Sequence, residues 1–480
     1  MKRVDYLIVG SGLTGATIAR MLHDAGREAL VIDRRQHLGG NVHDQEIAGL
    51  RVHTYGPHYF RTSSSYIWEW VNRFADFQPF EARVLSDIGA SQLVQWPPTL
   101  RQVQALCPGW QPQQRCINPS SLEDAALSMM PRQAYELFIK PYNEKQWGKP
   151  PAELSPALCK RFSLRTEGET RLTPGACFQG IPKDGYSAWM AAMLDGIDVQ
   201  LGIDYQEVRR SIKAKKTIYT GPIDEFFGFD MGRLQYRGQR RTHKIADVST
   251  DGLPCIQVNN PTHDGGAHIR SIDWRHLLGD QQKYETNRTI ITTETPYSPS
   301  DPDCYEYPFP DAVNQQLVAA YQQRAKGIGP SVLIAGRLGS FQYMDMDQAI
   351  AKALSMRGKV MSHSAAQWTG HLSSVTQASL SQSAETKQSQ LLEQLQQPAT
   401  HEQAGQSVRM ATTPGSLQPS HANSCKSVSE RLQEQLLQMV LNEADKHFLG
   451  NRISGNSKHA IRLGISKIVE HYIISEVADA

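Results

Sequence analysis

No charge of one sign dominates this chain. Its 480 residues carry 50 Lys and Arg against 48 Asp and Glu, a formal net charge of +2, so general attraction to nucleic acid or to an anionic membrane is excluded. No apolar run reaches the roughly 20 residues of a membrane-spanning helix, and no membrane insertion is expected. The start also lacks the apolar core and cleavage site of a secretory signal. Cysteine is sparse and odd in number, seven with no C-x-x-C spacing, which argues against a disulfide framework and a zinc knuckle. A cytoplasmic protein without a metal site is the expectation. Aromatic residues vanish between Trp368 and Phe448, and residues 371–424 hold 10 Gln and 10 Ser among 54 positions. Such a stretch has too little apolar area to offset chain entropy and reads as a disordered linker. Beyond it, Leu432, Leu436 and Val440, then Ile461, Ile465, Ile468 and Tyr472, repeat at helical spacing. Residues 425–480 therefore read as a small helical appendage, open to an unidentified protein partner.

The chain is rich where the tail is poor. With 40% hydrophobic residues it can bury a sizeable core divided among several domains. Near the start, "DYLIVGSGLTGATIARMLHDAGREALVIDRRQHLGGNVHD" places an apolar strand before Gly10, Gly12 and Gly15 in G-x-G-x-x-G spacing. A helical stripe follows through Ile18, Met21 and Leu22, then a second strand ending in Asp33. Each part has a mechanical use. Gly10 permits the tight turn, Gly12 lets the main chain approach a pyrophosphate, and Gly15 lets helix and strand pack closely. The helix N-terminus, at Leu13 and Thr14, offers free N–H groups, and Asp33 can accept from a ribose hydroxyl. Arg34 follows, then Gly39, Gly40 and Asn41, which bring more main chain against a cofactor. This second glycine pair resembles the extended fingerprint of FAD-binding folds, and FAD is expected rather than NAD.

Further along stand "RVHTYGPHYFRT" (51–62), "YNEKQWGK" (142–149), "QGIPKDGYSAWM" (179–190), "YTGPIDEFF" (219–227) and "IAGRLGSFQYMDMDQAI" (334–350). With these stretches the first roughly 365 residues resemble the bacterial UDP-galactopyranose mutases. The resemblance implies an α/β fold with a discontinuous, Rossmann-like FAD-binding domain from residues 1–80, 185–227 and 319–366. It implies a helical insertion over 95–170 with a mobile loop at 155–178, and an antiparallel β-sheet layer over 228–318. It further implies a homodimer that interconverts UDP-galactopyranose and UDP-galactofuranose without net redox. The FAD is active when reduced, its N5 acting as nucleophile at the anomeric carbon of the UDP-galactose.

Carried over residue by residue, the resemblance makes Arg161, Arg270 and His58 catalytic. The arginines would meet the diphosphate, and His58 would lie beside the flavin. It places the substrate against Tyr142, Trp147, Tyr307 and Tyr343. Gly336, Arg337, Asp345 and Met346 join the N-terminal residues and His58 around the cofactor. Three departures bear on the substrate. Arg61 stands where the family has a second histidine, Gln95 where an Asn is usual, and Leu172 or Thr173 where a tyrosine helps hold the diphosphate. A mutase for a different nucleotide sugar is therefore an alternative, as is an FAD-dependent oxidoreductase of amine-oxidase type. The basic cluster "RGQRRTHK" (237–244) is expected to be a solvated face.

Overall fold

The five parallel strands of the first sheet come from three distant parts of the chain. Strand β1 (Lys2–Val9) lies at the centre, flanked by β2 (Ala29–Asp33) and by Ile212–Tyr219, with Asp198–Leu201 and Val332–Ile334 at the edges. The computed structural model describes residues 2–362 except 91, 113–115, 117, 162–163, 166 and 279–286. The expected linker at 371–424 and appendage at 425–480 lie outside the described residues.

A parallel strand buried on both faces needs apolar residues in succession, which Tyr6–Val9 supply. Side chains still alternate between the faces. Ile8 and Val31 join one core with helix α1 (Leu13–His23) and with Trp189, Met190 and Ile350. Leu7, Val9, Leu30 and Ile32 face the other core, closed by Tyr219, Tyr205 and Phe226. Helices Tyr186–Leu194 and Met346–Ser355 pack beside α1. The segment "KGIGPSVLIAGRLG" forms a strand, Val332–Ile334, and a single helical turn, Gly336–Gly339.

A second, seven-stranded sheet runs Tyr307–Pro308, Tyr236–Asp247, Arg288–Tyr297, Arg270–Asp273, Gln257–Asn259, Val84–Asp87, Leu93–Trp96. Two of its strands lie well outside 228–318. The hairpin of Val84–Asp87 with Leu93–Trp96 docks its open edge in parallel on Gln257–Asn259, so an early segment completes a later sheet.

Between the sheets in sequence lies a helical region built around Val103, Leu122, Ala126, Met130, Tyr135, Phe138 and Trp147. Thr99 and Gln102 cap its first helix, Leu100–Leu106, reciprocally. The expected helical insertion is not one continuous helix. Leu122–Leu127 ends before Pro131, which cannot donate a helical N–H, and the chain resumes at Arg132–Ala134 and runs on to Lys140–Trp147. No helix among the described residues is long and apolar enough to cross a membrane.

Candidate functional site

The cofactor cradle is made of main chain. Gly10 has φ +102°, and a Cβ there would stand 2.2 Å from Thr220 Oγ1. At Gly15 a Cβ would fall 1.9 Å from the carbonyl oxygen of Gly10. Gly12 and Gly39 form an isolated parallel bridge, with Gly39 N donating to Ser11 O at 3.2 Å. The two glycine turns thus make one surface at the start of α1. Gly12 caps that helix without a side-chain bond, leaving first-turn N–H groups to a phosphate. Gly336, at φ +80°, comes within close range of Thr14 and Thr220, bringing the 336–339 turn to the same place. Leu13 and Met346, by contrast, bury their side chains in the core, so only their main chain can face a cofactor.

Asp33 is 8% exposed. Its carboxylate accepts from Ser11 N and Ser11 Oγ, each at 2.7 Å, and from Arg35 N at 3.0 Å. Three donors on about four lone-pair sites leave room for one ribose hydroxyl. Arg34 is held among Glu225 at 2.8 Å, Asp204 at 3.3 Å and Asp303 at 3.5 Å, which neutralises it towards a phosphate. Arg35, which the sequence did not single out, bonds Asn41 Oδ1 at 2.8 Å and lies 4.4 Å over the Tyr55 ring. A cavity of about 430 Å³ opens here, lined by Arg34, Arg35, Tyr55, Arg241, Asp303 and Glu306 among others. An uncapped helix start, flat glycine turns and a partly free acid suit the pyrophosphate and ribose of FAD.

From the cradle the loop through Gly56 and His58 leads to a charged cluster. His58 N donates to His53 Nδ1 at 3.0 Å, and His58 Nδ1 lies 2.7 Å from Gly56 O. A ring nitrogen against a carbonyl must carry hydrogen, so Nε2 of neutral His58 is an acceptor. Burial, then the neighbouring His53 ring, pushes His58 down to about 3, so it stays neutral at working pH.

Arg270 begins the strand Arg270–Asp273, directly opposite Glu294. Its Nε donates to Glu294 Oε2. On the other flank of Arg288–Tyr297, the strand that carries Glu294, Arg241 is also in register with Glu294, donating from Nε at 2.8 Å. Arg241 then forks onto Glu306 at 2.9 and 2.7 Å. Charges alternate along Arg270, Glu294, Arg241 and Glu306, none more than 16% exposed. Burial alone would lower the Arg270 guanidinium, but Glu294 holds it well above its usual value. Burial alone would raise Glu294, but Arg270 and Arg241 hold it below the usual carboxylate range.

Tyrosines surround Arg270. Burial raises both Tyr142 and Tyr307, and the Arg270 charge acts on each in the opposite sense. Tyr307 stacks on Tyr343 at 5.9 Å and 3° between planes, and Trp147 meets Tyr307 edge-on at 6.5 Å. Arg337 lies 4.7 Å over Tyr343 and donates to Met344 O at 2.6 Å. Arg270, Tyr142, Trp147, Tyr307, Tyr343 and Arg337 are thus brought together. Arg161 ends the turn Pro156–Arg161, and its side chain lies outside the described residues.

The departures have partners of their own. Arg61 pairs with Asp345 at 3.3 Å, while Asp345 caps the helix Met346–Ser355 with Gln348. Gln95 donates to the carbonyl of Glu169 at 2.5 Å. Leu172 packs with Tyr59 and Phe80 against an apolar core, not towards a charge. The Tyr59 hydroxyl is buried without a hydrogen-bond partner among the described residues. The basic cluster at 237–244 is not a solvated face throughout. Arg237 is buried, donating to Gln146 O at 2.6 Å, and Arg241 sits in the charged chain. The first part of the strand, Arg237 to Gln239, is buried, while Arg240 and Thr242 to Lys244 are exposed. No group of three potential metal ligands occurs among the described residues.

Comparisons with known proteins agree with this arrangement. Residues 137–343 match the UDP-galactopyranose mutase family model, and residues 8–74 match that of an NAD(P)-binding Rossmann-like domain. A dTDP-fucopyranose mutase of Escherichia coli is 29% identical over 374 residues, 72% of this chain and 96% of that protein. A UDP-galactopyranose mutase of Mycoplasma pneumoniae (strain ATCC 29342 / M129 / Subtype 1) is 28% identical over 387 residues, 74% and 95% respectively. The crystal structure of reduced UDP-galactopyranose mutase superposes with a TM-score of 0.56 at 14% identity, covering 77% of this chain and 100% of the other. That likeness shows the fold. A flavin cofactor fits the cradle and the fold alike, and by sequence residues 137–343 are similar to the UDP-galactopyranose mutase family.

Proposed function

We propose that the protein interconverts UDP-galactopyranose and UDP-galactofuranose, with FAD active in its reduced form. One observation supports this above the others: Arg270, gripped from one side by Glu294, stands among Tyr142, Tyr307 and Tyr343 next to the glycine cradle. Reduced flavin, when bound, supplies a nucleophilic nitrogen for the anomeric carbon. The chain's residues do the rest. Arg270 meets the diphosphate that leaves and returns, where each charge-assisted hydrogen bond contributes about 1.5–3 kcal/mol. Arg161 would approach the same group from the loop. Tyr307 and Tyr343 donate hydroxyl hydrogens to phosphate oxygens, and Trp147 with Phe309 shields their inner side from water. His58 presents Nε2 as an acceptor at the flavin side, and Asp345, steadied by Arg61, lies towards the sugar.

A different nucleotide sugar is the second reading, favoured by Leu172 packing into an apolar core where the family has a tyrosine. Both readings answer to one experiment. Flavin-loaded protein, reduced with dithionite, is incubated with UDP-galactofuranose and in parallel with a dTDP-fucofuranose. Formation of UDP-galactopyranose supports the first reading. Turnover of the second sugar alone moves the assignment to it, and turnover of neither overturns both.

A further inference from the structure

We propose that Arg241 and Glu306 form a charge-setting pair for the diphosphate site, acting on Arg270 through their shared carboxylate, Glu294. The inference rests on the reading that Arg270 meets the substrate diphosphate. Neither residue is needed to hold a strand in place, since Tyr236–Asp247 already pairs with Arg288–Tyr297 over ten residue pairs. Both are withdrawn from water, with Arg241 9% and Glu306 5% exposed at the side chain. Burying two such charges is costly, and an apolar pair would fill the space without that cost.

The geometry indicates what the pair does. Glu294 has two carboxylate oxygens and divides them, Oε1 to Arg241 and Oε2 to Arg270. Were Arg241 absent, both oxygens could turn to Arg270 in a closed, bidentate pair. That arrangement would neutralise the guanidinium that an incoming diphosphate has to find. Arg241 competes for Glu294 and leaves part of the Arg270 charge uncompensated. Glu306 in turn balances Arg241 with a two-bond fork, so the four groups sum to zero while the positive end points to the site. Gly56 brings the three groups together. A Cβ there would lie 2.5 Å from Glu294 Oε1 and 3.2 Å from a terminal nitrogen of each arginine, so the flavin-side loop rests directly on the junction. The other face of Arg241 lines the cofactor cavity. Arg241 is thus a positioning residue that touches the cofactor side and governs the substrate side.

Isothermal titration of UDP into the full-length, flavin-loaded protein tests this. Glu306→Gln removes one negative charge and leaves the two arginines sharing Glu294. Its UDP affinity should rise about fivefold, with a steeper loss on adding salt. Arg241→Met combined with Glu306→Gln keeps the net charge but gives Glu294 wholly to Arg270. That affinity should fall about tenfold with flavin content per chain unchanged. A purely structural pair would give weaker or unchanged binding in Glu306→Gln, and that result overturns the proposal. Wild-type affinity in the double variant overturns it equally. Should the double variant not fold, the sign of the change in Glu306→Gln still decides. Arg270→Met is the control: if it binds UDP as the wild type does, the functional reading falls instead, because no diphosphate then meets Arg270.

Discussion

The cofactor cradle and the proposed anion site lie side by side but are built in opposite ways. The cradle is main chain and absence: glycines at 10, 12, 15, 39 and 40 bring backbone close and leave N–H groups open. The proposed anion site is side chain and excess: four charged groups buried against one another, three on neighbouring strands and Glu306 just before Tyr307–Pro308. At Gly10 and Gly15 a site of the first kind has no room for an added atom. A site of the second kind tolerates reshaping and is sensitive to charge.

That contrast can be broken most severely at Gly15. Gly15→Ala sets a Cβ against the Gly10 carbonyl, with no flexible side chain able to yield. The variant is expected to lose more than about 4 kcal/mol of stability and to retain no flavin, read from absorbance per polypeptide and urea unfolding. A variant that purifies yellow and stable would show that the turn can open. The charged site should respond next. Glu294→Ala leaves two buried guanidiniums without their shared partner and should cost about 3–5 kcal/mol, again by urea.

The pH dependence follows from the same carboxylate. Glu294 is held below its unfolded value, so its contribution is present above the ordinary carboxylate range and disappears as pH falls through the lowered one. In Glu294→Gln the acid side of the stability profile should flatten, and an unchanged profile would place the acid sensitivity elsewhere. A smaller effect of the same sign, at alkaline pH, belongs to Lys145. It donates to the carbonyls of Asn260 and His268 at 3.0 and 3.2 Å, and burial lowers it to about 8. The folded chain then binds fewer protons than the unfolded one between about 8 and the ordinary lysine value of 10.5. Wild-type melting temperature should accordingly rise across that window relative to Lys145→Met. The least effect is expected from Tyr343→Phe. Loss of one exposed hydroxyl contact should raise the KM for the nucleotide sugar by no more than about tenfold, from 0.5–1.5 kcal/mol, with kcat nearly unchanged.

How much the sequence disclosed follows the same division. Glycine spacing is a local property, so the cradle, Asp33 and the turn at Gly336 could be read directly. Arg270, Tyr307 and Tyr343 came from motif likeness, and the fold brings them together. Glu294, Arg241 and Glu306 were passed over because their meaning is set by strand register. Arg241 and Glu294 are 53 positions apart, and no short turn fixes their pairing. The hairpin Val84–Trp96 was missed as part of the sheet for the same reason, its partner strand being Gln257–Asn259. Arg35 was overlooked beside Arg34, although Arg34 is the one enclosed by carboxylates.

The central strand β1 is made first on the ribosome, yet its neighbour Ile212–Tyr219 arrives some two hundred residues later, and Val332–Ile334 later still. During synthesis the apolar Tyr6–Val9 must therefore wait with one edge unpaired, a hazard for sticking to other nascent chains. Flavin capture would then be a late checkpoint: a polypeptide halted between residues 41 and 334 has the fingerprint in full but an unfinished sheet behind it.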